Sequence, residues 1–279
     1  MANIIECGKG IKVKLIGAMP RESFVDIAAT FTRSEKSMEE VVSMPYNEKL
    51  VEKVVGMNHL ATTEFDYFVF AVEGCSRVVE TQLVRKRLAS YLIKSGRVEK
   101  NGKRSFDVVK PKSLEGFHAP IKLDPSKILL NDGENLGRIH GFDSLLEMDL
   151  SFDGLMDILE QFYNAGVAAK VPEEDLRYAK PQGTEWKGLV AMNAHGWLDW
   201  LKIRACKNAQ HEHRDLALQF LKLLKEHSPA LFKNAGASCV VLGYCPENEY
   251  QHKDCVGKVL THNEVKLILK EEMKKRRQS

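Results

Sequence analysis

The 279-residue sequence has no long uncharged apolar run, either in its opening MANIIECGKGIKVKLIG or further along. That absence argues against a signal peptide and a membrane-spanning helix, so the expectation is a cytoplasmic protein with no membrane partner. A dominant charge is missing too: 41 basic residues stand against 38 acidic ones, for a net charge of +3. So even a balance does not suggest a nucleic-acid surface. A local basic pocket for an anionic small molecule fits it better. Cysteines are few, at positions 7, 75, 206, 239, 245 and 255, and no two form a Cys-x-x-Cys pair. In a cytosolic protein, reduced thiols or metal ligands are expected ahead of disulfides.

What is present is an ordinary globular composition, 44% apolar and 28% charged, with enough length to bury a large core. Strand composition at 11–16 leads to a helix over 21–32, where Phe24, Ile27, Ala28 and Phe31 recur at helical spacing. A second helix is predicted over 47–55, stopped by Gly56, and a strand over 65–72. Residues 98–143 are polar and interrupted by Pro111, Pro120 and Pro125, which predicts a long excursion with a strand near 127–130. Helical periodicity returns over 145–166. A strand at 186–192 then feeds a helix opening at Asn193, whose Trp197, Trp200 and Leu201 are expected in the core, and an amphipathic helix runs through His227. A last helix over 262–273 ends in Lys274-Lys275-Arg276-Arg277, which reads as a solvated basic tail. This mixture predicts an α/β (mixed α+β) fold.

The most chemical stretch runs from Gln82 to Arg97. It places Arg85, Lys86 and Arg87 in a row after an apolar helical pattern, then Ser95 and Arg97 in a segment that reads as extended. On a helix Gln82, Arg85 and Lys86 would share a face, and on a strand Ser95 and Arg97 would share another. Arginine forks match phosphate or carboxylate oxygens. A solvated helix end, favoured by the helix dipole, uses the same three cations.

The order Arg, basic residue, Arg, seven residues, Ser, any residue, Arg resembles the signature of the flavin-dependent thymidylate synthases, with Lys86 where the family usually has histidine. Further blocks are similar to the family's in the same order. They are His59 to Glu64 before a hydrophobic strand, the acidic pair Glu173-Glu174 followed by Arg177 and Pro181, and Asn193-Ala194-His195 with Arg204 eleven residues after the asparagine. The last is Ala209-Gln210-His211-Glu212-His213-Arg214. His195 stands for the family's arginine and His211 for its tryptophan. Leu92 and Ile93 occupy positions that often carry polar residues.

The resemblance implies an enzyme that transfers the methylene of methylenetetrahydrofolate to dUMP and reduces it with a hydride from FAD, itself recharged by NADPH. It implies that Gln82, Arg85, Ser95, Gly96, Arg97 and Arg177 hold dUMP. His59, Arg85, Lys86, Arg87, Asn193, His195 and Asp199 would lie around FAD. Arg204 would be catalytic, its charge stabilising negative charge on the uracil ring. A homotetramer is implied as well. The substitutions leave open a diverged homologue that binds another pyrimidine nucleotide or is catalytically silent. The related domain is expected over 1–236, with 237–279 as a cysteine-containing C-terminal segment. There Cys239, Cys245 and Cys255, with Cys206, suit zinc or an iron–sulfur cluster, or stand as free buried thiols.

Overall fold

The computed structural model describes residues 3–19, 23–94, 107–124, 129–131, 136–138 and 146–278. In chain order the strands are β1 (Asn3–Glu6), β2 (Lys12–Ala18), β3 (Tyr67–Ser76), β4 (Ala89–Ile93), β5 (Asp107–Lys110), β6 (His118–Leu123), β7 (Leu129–Asn131), β8 (Leu136–Arg138), β9 (Leu146–Ser151) and β10 (Glu185–Asn193). The helices are α1 (Ser23–Phe31), α2 (Met38–Val42), α3 (Glu48–Gly56), α4 (Arg77–Leu83), α5 (Phe152–Ala168), α6 (Glu173–Leu176), α7 (Ala194–Arg204), α8 (His211–His227), α9 (Pro229–Phe232), α10 (Ser238–Leu242) and α11 (His262–Gln278). Among the described residues no helix is long and apolar enough to cross a membrane. The mixed α/β expectation is met.

The chain forms two compact units, one of residues 1–10 and 95–185 and one of residues 11–94 and 186–279. The first contains most of the predicted excursion, and that stretch holds more strand than its composition suggested. β1 pairs with β5 in parallel, and β6 with β9 antiparallel. The helix expected from 145 starts only at Phe152, because 146–151 form β9. Leu146, Met148 and Leu150 alternate with polar residues, a period of two that decides for a strand. Ser151 then caps α5, its hydroxyl accepting the Gly154 N–H at 3.1 Å.

The second unit is built on a four-stranded sheet in the order β2-β3-β10-β4. β3 buries alternate residues, so Phe68, Phe70 and Val72 face one core. Helix α7 buries a broad apolar face of Ala194, Gly196, Trp197, Leu198, Trp200 and Leu201 and leaves His195, Asp199 and Lys202 on its other side. Trp197, Trp200 and Leu201 are core, as their spacing suggested. Phe70, Trp197 and Phe220 of α8 meet with ring centroids 4.8–5.1 Å apart, within the range for favourable edge-on packing.

Close strand approach fixes β4. Gly188 of β10 lies opposite Ile93, and a Cβ there would come within 2.4 Å of the Leu92 carbonyl oxygen. Only glycine fits, so β10 sets where β4 and the turn preceding it sit.

Candidate active site

The expectation that Gln82, Arg85 and Lys86 share a helical face does not hold, because α4 ends at Leu83. Arg85, Lys86 and Arg87 occupy the turn between α4 and β4. Leu88 then takes a left-handed φ of 57°, a conformation a helix cannot continue through. Tyr91 of β4 holds this turn, its hydroxyl placed 2.8 Å from the Leu83 carbonyl and 3.2 Å from that of Lys86. Burial pushes the Tyr91 phenol up to about 12, which keeps it protonated as a donor at neutral pH.

The turn faces α7 across a pocket of about 460 Å³. Gln82, Arg85 and Lys86 line one side, and Asp199, Lys202 and Arg204 another; Trp200, Ile203 and Ser238 complete the lining. Four cations against one carboxylate give this pocket a net positive charge, which suits an anion. Asp199 neutralises only part of the charge: its carboxylate lies 3.8 Å from Lys86 Nζ and 3.3 Å from Lys202 Nζ. Arg85 and Arg87 are exposed and have no ion-pair partner among the described residues.

Arg204 donates from Nη1 to Gln82 Oε1 at 3.1 Å. Burial, reinforced by the charge of Arg85, lowers its pKa from the usual guanidinium value. It stays cationic at neutral pH nonetheless. The same Gln82 oxygen lies 3.3 Å from Nδ1 of His213 on α8. His213 is fully buried, and burial together with the Arg204 charge depresses its pKa to about 3. Its neighbour Glu212 fixes the opposite end of α4, where its oxygens accept from the Ser76 N–H at 2.6 Å and the Ser76 hydroxyl at 2.5 Å.

The other expected residues are distributed more widely. Asn193 serves α7 as its N-cap, its side-chain oxygen accepting the Gly196 N–H at 2.8 Å. His195 lies within 3.0 Å of the Glu64 carboxylate and 3.7 Å of Asp199. His59 is exposed and lines a separate pocket of about 440 Å³ with Thr32 and Arg33. Arg177 is an exposed residue of the first unit, just beyond α6. Ser95, Gly96 and Arg97 lie outside the described residues. Tyr91 and Lys202 were not singled out from sequence, whereas Glu64 and His213 stood inside matched blocks without a role of their own. Glu212 lay inside a matched block and carried a signal that went unassigned.

A bound dinucleotide such as FAD needs donors to its phosphates, and the unpaired cations of the 85–87 turn fit that demand. The four cysteines are a different case. Burial and the neighbouring thiols of Cys206, Cys245 and Cys255 raise the Cys239 thiol, so these side chains do converge. Their segments are tied together as well: Asn208 Nδ2 donates to the Tyr250 carbonyl at 2.8 Å, and Ser238 Oγ to that of Lys202 at 3.2 Å. Yet among the described residues no group of three or more His, Cys, Asp or Glu side chains is arranged to hold a metal ion. Of the two alternatives for these four residues, the side chains among the described residues are arranged as thiols and not as a zinc or iron–sulfur ligand set.

Comparison with known proteins identifies the family. The profile of the family described as "Thymidylate synthase complementing protein" matches residues 14–230. A flavin-dependent thymidylate synthase of Clostridium tetani is 34% identical over 248 residues, covering 85% of this chain and 91% of its own. One of Thermococcus onnurineus is 32% identical over 256 residues, covering 88% and 93%. The crystal structure of a UMP/dUMP methylase PolB from Streptomyces cacaoi, bound with 5-Br dUMP, superposes with a TM-score of 0.59 at 16% identity, covering 83% of this chain and 95% of that one, and so shares the fold. The pocket residues from Gln82 to Arg204 fall within the matched region, and the chain belongs to the flavin-dependent thymidylate synthase family of methyl-transferring enzymes.

Proposed function

We propose that the chain methylates dUMP to dTMP, taking its carbon from methylenetetrahydrofolate and its reducing equivalents from NADPH through FAD. The observation that carries this reading is the pocket whose lining sets four cations, Arg85, Lys86, Lys202 and Arg204, against a single carboxylate, Asp199. A nucleotide monophosphate brings both the dianion such a pocket attracts and a ring edge for directed hydrogen bonds. Gln82 and Arg85, with Ser95, Gly96, Arg97 and Arg177, bind dUMP. Arg204 donates to the uracil edge and stabilises negative charge as the ring is polarised towards attack from C5. No enzyme thiol is needed for that step.

FAD, when bound, supplies the hydride that completes the methyl group. Arg85, Lys86 and Arg87 would meet its phosphates, with Asn193, His195 and Asp199 near it and His59 at its margin. Lys86 does this as a mobile point charge, in place of a histidine ring. The working protein is a cytoplasmic homotetramer.

The test is NADPH oxidation by the FAD-reconstituted protein with and without dUMP, followed by product analysis with methylenetetrahydrofolate. Stimulation by dUMP with dTMP as product is the expected result. Flavin binding without any response to dUMP would sink the assignment and turn the search to other pyrimidine nucleotides, or to a silent nucleotide-binding role.

A further inference from the structure

Three residues from three helices meet at one oxygen atom. Gln82 Oε1 lies 3.1 Å from Arg204 Nη1 and 3.3 Å from His213 Nδ1. A guanidinium can only donate, so the Gln82 atom facing it is the amide oxygen. That oxygen only accepts, which in turn requires a proton on Nδ1 of His213. His213 is held firmly in place, its ring fully buried and packed against Trp200 at 5.3 Å between centroids. Its Nε2 is buried with no partner among the described residues, as the Nδ1–H tautomer leaves it. With its oxygen engaged twice, Gln82 has only its NH₂ left for the pocket it lines. Among the described residues that NH₂ donates to nothing.

We propose that His213 is a positioning residue that, together with Arg204, locks the Gln82 amide with its NH₂ towards the nucleotide, so that Gln82 presents only a donor there and selects a ring carbonyl over a ring amino group. The inference rests on the pyrimidine nucleotide reading above and adds to it the source of discrimination between uracil-type and cytosine-type bases. A 4-oxo pyrimidine accepts from the Gln82 NH₂. A 4-amino pyrimidine sets donor against donor and leaves buried polar groups unpaired, which is how polar pockets reject near-isosteres. Burial and the Arg204 charge keep the ring neutral at physiological pH, so the lock does not titrate there.

The lock can be examined in the native protein by ¹⁵N NMR of its histidine rings. The expected result is a non-titrating Nδ1–H ring for His213 at pH 7, and an Nε2–H or doubly protonated ring would overturn the proposal whatever the protein binds. The selectivity is read from dUMP and dCMP affinities. His213→Leu leaves the amide held by Arg204 alone, so dUMP binding weakens about tenfold, dCMP binding strengthens and the ratio between them falls. His213→Asn, which keeps an N–H close to the Nδ1 position, restores the ratio. A merely structural role for His213 lowers both affinities together, and an unchanged ratio in the leucine variant would refute the lock. Should the leucine variant not fold, the native tautomer and the asparagine variant still decide. Native protein that binds neither nucleotide while keeping the Nδ1–H ring would refute the selectivity proposal together with the nucleotide reading. The wrong tautomer with normal dUMP binding would refute the lock alone.

Discussion

Glu212 grips Ser76 with both carboxylate oxygens, at 2.6 Å from its N–H and 2.5 Å from its hydroxyl, across 136 positions of sequence. Glu212 sits beside His213 on α8, so two adjacent residues of one helix secure both ends of the seven-residue α4. A helix that short has little stability of its own and depends on such anchors. Glu212→Ala strands a buried N–H and hydroxyl, and is expected to cost about 2–4 kcal/mol. Urea unfolding measures the loss, and nucleotide affinity should fall with it, since the cation turn follows directly from α4.

Arg204 lies where two roles coincide, as it orients Gln82 and lines the anion pocket. Arg204→Ala is expected to lower kcat by about 10²–10³, the usual effect of losing one donor aimed at developing charge. Arg204→Lys keeps the charge but loses the planar fork that reaches Gln82 and the ligand together. Steady-state kinetics should show only slight recovery in the lysine variant. Full recovery would mean that charge alone matters and that the contact with Gln82 does not.

Much of this site could be read in the sequence because it depends on cations close together in the chain and on an apolar helix with obvious spacing. Arg85, Lys86 and the core positions Trp197, Trp200 and Leu201 are such cases. The sequence did not disclose where α4 stops, because the cause is remote: a tyrosine hydroxyl from β4 and a left-handed Leu88 end the helix. β9 went unrecognised because a strong helical period starts immediately after it. His213 was hidden for another reason. A histidine's role depends on what its ring nitrogens meet, and its partner here lies 131 positions away. The cysteines converge although their spacing holds no Cys-x-x-Cys pair, but convergence is not a ligand set.

The approach of β10 to β4 offers a test at a distance from the ligand. Gly188→Ala would place a methyl 2.4 Å from the Leu92 carbonyl oxygen, a backbone atom that can give way only if the strand moves. A cost of about 2–3 kcal/mol is expected, of the size seen for overpacking. Because Tyr91 of the same strand holds the 85–87 turn, nucleotide binding should weaken as well. Gly56→Ala is the control, since nothing lies within 4 Å of a Cβ there, and at the end of a helix it should be neutral or stabilising by up to about 1 kcal/mol. Thermal melts of the two variants should shift in opposite directions, or the variant at position 188 alone should shift.

His213 gives the fold a measurable acid sensitivity whose sign follows from linkage. Its folded pKa is depressed to about 3 from an ordinary histidine value of 6.5. Between those values the unfolded chain binds a proton that the folded chain does not, so lowering the pH favours unfolding. The contribution of this residue is fully present above pH 6.5 and is lost as the pH falls towards 3, with a slope of about 1.4 kcal/mol per pH unit. Carboxylates add their own loss near the acid end of that window, so the histidine contribution is best isolated between pH 6 and 5. His213→Asn has no proton to gain there. Urea midpoints followed across pH 5–8 should therefore fall more steeply for the native protein than for the asparagine variant, and parallel curves would show that His213 accepts a proton in the folded state.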